Sequence, residues 1–139
     1  MSKELYLLED LAESLAELKH YGQCYGTHPY TYHLREVVSL CSSPEARIVA
    51  WLHDILEDTD ASYELLYHMF GKEIADAVHK ISKYPHKTYE DYIKGVKSNG
   101  LSHIVKIADT RCNLWQSESE GDERRITKYT KQLELLLND

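Results

Sequence analysis

The chain reads as an all-α domain, and three observations say so. Apolar residues recur at three- and four-residue spacing through most of its 139 residues, and no stretch alternates convincingly with period two. The segments between periodic stretches carry turn and cap chemistry: Tyr21-Gly22, Ser42-Ser43-Pro44 and Asn99-Gly100. About seven or eight helices around one core are expected, as a single domain over residues 1–139. That length buries a core without disulfides or structural metal.

Taken in order, a first helix over about residues 3–20 has Leu8, Leu11, Leu15 and Leu18 as its apolar face. Tyr21-Gly22 ends it, and a loop runs to Pro29, which suits the first turn of a second helix because its missing N–H is no loss there. His33, Val37 and Leu40 share a face, which turns His33 inward. Residues 42–45 read as the cap and first turn of a third helix. Its stripe of Ala46, Val49, Ala50, Leu52 and Leu56 also takes in His53 and Glu57. Asp60 is expected to cap a fourth helix burying Tyr63, Leu66, Tyr67 and Phe70, which Gly71 breaks. A fifth, over about residues 72–83, buries Ile74, Val78 and Ile81 before Pro85. The sixth carries Tyr89, Tyr92, Ile93 and Val96 and closes at Asn99-Gly100. The seventh turns Leu101, Ile104, Val105, Ala108 and Cys112 inward, with Asp109 on the border of that stripe and Asn113 a turn later. A polar loop over 118–122 leads to a last helix with Ile126, Tyr129, Leu133 and Leu136.

Composition narrows the function. A net charge of −7 argues against non-specific binding of duplex nucleic acid. Residues 72–111 nevertheless hold eight Lys or Arg against five acids, a local excess that suits a small phosphorylated ligand, although most of these lysines fit a solvated helix face. The three cysteines, Cys24, Cys41 and Cys112, form no CxxC pair, so neither a zinc finger nor a disulfide framework is expected. No stretch has the length of a membrane span. The expectation is a cytoplasmic protein with no membrane partner.

The chemistry concentrates in residues 53–58, His-Asp-Ile-Leu-Glu-Asp, with one imidazole and three carboxylates in less than two helical turns. Polar groups stand there on an apolar stripe. Glu57, Asp58 and Asp60 crowd a helix C-terminus, where the macrodipole disfavours negative charge, and a bound cation would compensate. His33, His53, Asp54 and Asp109 each lie on or beside the inward face of a helix. Together they offer two neutral imidazoles and two carboxylates, a charge of −2 for a +2 ion. Mixed nitrogen and oxygen donors favour Mn²⁺, with Fe²⁺, Zn²⁺ or Co²⁺ as alternatives, over Ca²⁺ or Mg²⁺. Each residue alone has a bland reading, a hydrogen-bonded core histidine or an aspartate cap. The combination carries the argument.

His33, the run from Leu52 through His53-Asp54-Ile55-Leu56-Glu57-Asp58 to Thr59, and Lys106-Ile107-Ala108-Asp109 with Asn113-Leu114 resemble the HD-domain metal-dependent phosphohydrolases. Within them, the HDxxED form resembles the short stand-alone (p)ppGpp hydrolases of the RelA/SpoT class. The similarity extends through Phe70-Gly71, Ile81-Ser82-Lys83, Tyr89-x-x-Tyr92-Ile93 and Arg125-x-x-Lys128-Tyr129. It implies a multi-helix HD fold with one metal site in the helical core, ligated by His33, His53, Asp54 and Asp109. It further implies that Glu57 and Asp58 handle the nucleophile, and that Asn113 helps fix metal or substrate. The reaction implied is removal of the 3′-pyrophosphate of a (p)ppGpp-like nucleotide by a metal-activated water.

Phosphate requires cations. Lys83 matches a family position near the pocket and is the first expectation, followed by Lys106 and Arg111 on the Asp109 helix. Tyr89, Tyr92 and Tyr129 are read as core, and Asp58 has a second reading as the cap of the next helix. Alarmone hydrolases usually carry basic residues in the loop before the first histidine. Here residues 23–28 read Gln-Cys-Tyr-Gly-Thr-His, and Leu34 stands where a proline commonly follows the histidine. Phosphate-ester hydrolysis is therefore better supported than (p)ppGpp itself. The alternatives are an HD nucleotidase or nucleoside-triphosphate hydrolase, and a non-catalytic nucleotide-binding module.

Overall fold

A computed structural model describes residues 3–138. Its elements run α1 (Lys3–Lys19), β1 (Cys24–Tyr25), β2 (His28–Pro29), α2 (Tyr30–Ser39), α3 (Pro44–Leu52), α4 (Ile55–Asp58), α5 (Tyr63–Phe70), α6 (Lys72–Ile81), α7 (Tyr89–Lys97), α8 (Gly100–Glu120) and α9 (Glu123–Leu137). The all-helical expectation holds, apart from one two-residue hairpin of β1 and β2.

Two helices organise the rest. α3 is apolar nearly all round, with Ala46, Ile48, Val49, Ala50, Trp51 and Leu52 buried, as a helix must be when it is packed on every side. It lies against α1, α2, α6 and α8. α8 is the longest and packs on α2, α3, α6, α7 and α9. Leu34, Val37, Ile48, Leu52, Ile55, Leu66, Val78 and Val105 fill the space between these elements. A smaller cluster of Tyr92, Ile93, Val96 and Leu136 joins α7 to α9. Helix ends are closed by side chains: Ser43, Ser62, Thr88, Asn99 and Asp122 each accept a first-turn N–H, a contact of about 1 kcal/mol apiece. Gly121, at φ 69°, supplies the left-handed turn that ends α8.

Several boundaries differ from the sequence reading. The third helix is not continuous. It stops at Leu52, Asp54 sits at φ −105°, ψ 2°, and a fresh turn restarts when the Asp58 N–H reaches the Asp54 carbonyl. No Pro or Gly marks that break; there His53 Nδ1 bonds back to the Ala50 carbonyl, and the Tyr30 hydroxyl of α2 donates to Asp54. On α1 the core face is Ala12, Leu15 and Ala16, with Leu11 and Leu18 exposed. The two alanines let α1 approach α3 closely, and Glu9 pairs with Arg47 of that helix. Asp60 caps nothing: its exposed side chain pairs with Lys19 at 2.8 Å, and Ser62 takes the cap. Asn99-Gly100 opens α8 instead of closing α7. The polar run 118–120 is helical, because Glu118 and Ser119 need no burial on a solvated face. Tyr67 and Ile104 are exposed, contrary to their periodicity. Among the described residues no helix is long and apolar enough to cross a membrane.

Candidate metal and active site

Three mutually packed elements bring the site together: α2 carries His33, the end of α3 carries His53 and Asp54, and α8 carries Asp109. His33, His53 and Asp109 are buried, and each offers a ligand atom within 4.8 Å of the others. This is the one such group among the described residues. The Asp109 Oδ1 accepts from His33 Nε2 at 2.8 Å and from Asn113 Nδ2 at 3.2 Å, while Oδ2 accepts from Lys106 Nζ at 3.1 Å. Asp54 stands beside this trio. Its Oδ2 lies 3.1 Å from His53 Nε2 and accepts from the Tyr30 hydroxyl.

His53 tests whether a metal fits. Its Nδ1 lies 2.6 Å from the Ala50 carbonyl, so Nδ1 must carry the proton. In the neutral ring Nε2 then presents a lone pair, and that atom is buried without a hydrogen bond. It faces Asp54 at 3.1 Å and Asp109 at 3.4 Å. A lone pair confronting two carboxylates is repulsive unless a proton or a cation lies between them. A carbonyl that fixes the far nitrogen and an open near nitrogen are what a metal-ligating histidine shows. The buried group can hold a divalent cation.

Without an ion, a proton serves instead. Burial pulls the His53 pKa down, but the Asp54 and Asp109 carboxylates outweigh it and raise it well above the usual imidazole range. Burial pushes both carboxyls up. His53 reverses this at Asp54, which falls to about 2, and Lys106 with His53 holds Asp109 well below its ordinary value. Glu57 and Asp58 move the other way, raised by partial burial and by the Asp54 charge. Two carboxylates thus stay ionised beside two others held closer to neutrality, a division of labour typical of acid–base sites.

The site opens into a cleft of about 260 Å³. Tyr25, Tyr30, His33, Asp54, Asp109 and Asn113 line it together with Glu57 and Asp58 of α4, with Lys83, Arg125 and Tyr129 partly exposed at its rim and Gln132 buried. A larger cavity of about 560 Å³ lies beyond the hairpin, around Tyr21, Gln23, His28 and Thr31, away from the ligand group.

Most sequence-predicted site residues meet here. Glu57, Asp58, Lys83, Lys106 and Asn113 all line the cleft. Asp58 ends α4 and caps no helix. Lys106 is buried against Asp109, so its charge is spent on that carboxylate more than on a ligand. Arg111 is a correction: it is exposed and does not line the cleft. α8 remains regular there, and two residues rotate a side chain to the opposite face. Tyr129 is also corrected, because it lines the cleft and lies 5.8 Å from the Arg125 guanidinium. Tyr89 is exposed, whereas Tyr92 is buried as expected. Sequence reasoning missed Tyr30, Arg125 and Gln132. Two signals were present: Tyr30 is one turn from His33, and Arg125, Tyr129 and Gln132 share one face of α9.

No family model matches the chain. Over 81% of its length it is 31% identical to the guanosine-3′,5′-bis(diphosphate) 3′-pyrophosphohydrolase of Aquifex aeolicus, covering 17% of that protein. Over 62% of its length it is 31% identical to the Drosophila melanogaster guanosine-3′,5′-bis(diphosphate) 3′-pyrophosphohydrolase MESH1, covering 54% of it. A solved structure of a metazoan ortholog of SpoT that hydrolyses ppGpp matches 99% of this chain and 88% of its own, at TM-score 0.76 and 22% identity. The chain is an HD-type relative of these pyrophosphohydrolases. It spans about half or less of the length of the two curated relatives. The fold likeness runs across nearly the whole HD-type chain, including α9, whose Arg125 and Tyr129 close the cleft.

Proposed function

We propose that residues 1–139 form one HD phosphohydrolase domain that removes the 3′-pyrophosphate of a ppGpp-like nucleotide in the cytoplasm. The observation that carries this reading is the pairing of two kinds of carboxylate. Asp54 and Asp109 lie against buried imidazoles, while Glu57 and Asp58 line the same cleft with no ion-pair partner among the described residues. A binding module has no use for the second pair. The Aquifex aeolicus and Drosophila melanogaster relatives carry this activity in their names.

His33, His53, Asp54 and Asp109 would hold the ion, Mn²⁺ first. A divalent ion there supplies Lewis acidity toward a phosphoryl oxygen and acidifies water near neutral pH. Glu57, its pKa raised from the ordinary value by burial and the Asp54 charge, accepts the proton of the attacking water. Asp58 orients that water from the next position. Lys83 and Arg125, which both line the cleft, neutralise phosphate charge. Lys106 holds Asp109, and Asn113 donates to its other oxygen. Tyr129 beside Arg125 gives the rim an aromatic face for a base or ribose. The ligand is a small phosphorylated nucleotide and not a duplex, which the net charge of −7 would repel.

One observation favours a second reading, hydrolysis of 5′-nucleotides or nucleoside triphosphates: the hairpin at the cleft presents Tyr25 and no Lys or Arg. A nucleotide panel with Mn²⁺ separates the two. Pyrophosphate release from ppGpp supports the first, and phosphate or triphosphate release from 5′-nucleotides supports the second. Tight nucleotide binding without turnover at any metal would overturn both.

A further inference from the structure

We infer that Tyr25 is a positioning residue for the metal centre, holding the ring of His33 and the amide of Asn113 from the hairpin. The inference rests on His33, His53, Asp54 and Asp109 being the ligand set.

The two histidines are restrained differently. His53 has its far nitrogen tied to the Ala50 carbonyl. The Nδ1 of His33 is buried and has no hydrogen-bond partner. A ligating imidazole without that tie can swing about its side-chain torsions, and each orientation lost weakens a metal site. Something else must hold the ring. The Tyr25 ring is stacked on it, with centroids 4.3 Å apart and planes 18° from parallel.

The hydroxyl of the same residue closes a circuit. Tyr25 Oη donates to Asn113 Oδ1 at 2.7 Å, Asn113 Nδ2 donates to Asp109 Oδ1 at 3.2 Å, and that oxygen accepts from His33 Nε2 at 2.8 Å. Tyr25 therefore touches the ring of one ligand and, through one amide, the carboxylate of another. The amide orientation follows: its oxygen must face the phenol and its nitrogen the carboxylate.

The support beneath Tyr25 is rigid. Tyr25 pairs with His28 across the hairpin, and the Tyr30 N–H donates to the Gln23 carbonyl at 2.9 Å. The Gln23 side chain donates to the Asp58 carbonyl at 2.9 Å. At the turn, Gly26 takes φ 61° beside Gln116 of α8, where even a Cβ would lie 3.7 Å from that side chain. The short hairpin thus links α2, α4 and α8 and aims one aromatic ring at the ligands.

The test uses Tyr25→Phe, which keeps the ring, and Tyr25→Leu, which loses ring and hydroxyl. Metal affinity is read by competition against a chelator, and ligand geometry by the visible spectrum of the Co²⁺-loaded protein. Tyr25→Leu should weaken Mn²⁺ binding roughly 10–100-fold and shift the Co²⁺ bands, and Tyr25→Phe should lose a smaller part, about 3–10-fold. In an Asn113→Ala background Tyr25→Phe should have no further effect, since its hydrogen-bond partner is gone. Thermal melts of the chelated proteins separate this from general destabilisation: Tyr25→Phe should melt within a few degrees of the wild type, the cost of about one hydrogen bond. If Tyr25→Leu does not fold, Tyr25→Phe and the Asn113 cycle decide alone. Unchanged affinity and spectrum in the variants, or an undiminished Tyr25→Phe effect without Asn113, would overturn the inference while leaving the ligand set standing. A wild-type protein that takes up no ion would overturn both.

Discussion

Replacing Lys106 with Met removes a charge while keeping a long unbranched side chain against the Tyr92 ring, which Lys106 Nζ approaches to 5.6 Å. In the metal-free protein the buried cluster balances two carboxylates, Asp54 and Asp109, against two cations, Lys106 and protonated His53. The Lys106 ammonium lies 3.1 Å from Asp109, a contact of about 5 kcal/mol at an effective dielectric constant near 20. Lysine desolvation consumes part of it, and His53 remains as a counter-charge. The expected cost of Lys106→Met is therefore about 3 kcal/mol, the low end for breaking a buried pair. A bound divalent ion supplies the lost positive charge, so with saturating Mn²⁺ the cost should fall to about 1 kcal/mol. By linkage the variant must then bind the ion about 30-fold more tightly, since about 2 kcal/mol separates the two conditions. Urea unfolding of both proteins with chelator and with Mn²⁺ measures the first pair of numbers, and a competition titration measures the last. Equal destabilisation in both conditions, or weaker metal binding by the variant, would show that Lys106 does not share its carboxylate with a metal.

Further outcomes follow from the same geometry. Glu57→Gln should keep its metal and lose about 10²–10⁴-fold in turnover, because the side chain lines the cleft without touching the ligand atoms; full activity would remove it from proton transfer. Asp54→Ala should lose both metal content and activity, checked by elemental analysis of the purified protein. Metal affinity should rise with pH: His53 is protonated below a pKa well above 6.5 and must shed that proton to ligate. About one proton should therefore be released per ion, and affinity should climb about tenfold per pH unit until His53 deprotonates on its own. Calorimetry in buffers of different ionisation enthalpy counts the proton, and a count near zero would move the charge off His53. On the acid side, turnover should fall as pH drops through the raised pKa of Glu57, since the base must be ionised; an acid limb below the ordinary carboxylate range would contradict that assignment.

Much of this site was legible in one dimension because candidate ligands break a packing pattern. His33 and His53 occupy apolar stripes where Val or Leu would pack, and the three carboxylates of residues 53–58 repel one another without a cation. Asn113 follows Asp109 by one helical turn, which spacing alone reveals. Arg111 failed for the same reason that Asn113 succeeded: a regular helix carries i+4 to the same face and i+2 to the far one. The hairpin was invisible because two-residue strands have no period to detect. The α1 face was misread because leucine count favoured one stripe, whereas closeness of approach to α3 selected the alanines.

Residue identity alone determined the helical class and which side chains could offer nitrogen and oxygen donors, since periodicity and side-chain chemistry are properties of the chain. Tertiary structure decided the rest. It broke the helix at His53-Asp54, turned Nε2 toward two carboxylates, buried Lys106 on Asp109, and set Tyr25 on His33 and Arg125 on the rim. Contacts in the site join residues up to 88 positions apart, as Tyr25 and Asn113 are. Their geometry follows from how α2, α3, α8 and the hairpin pack, a sum of many weak interactions that no local pattern encodes.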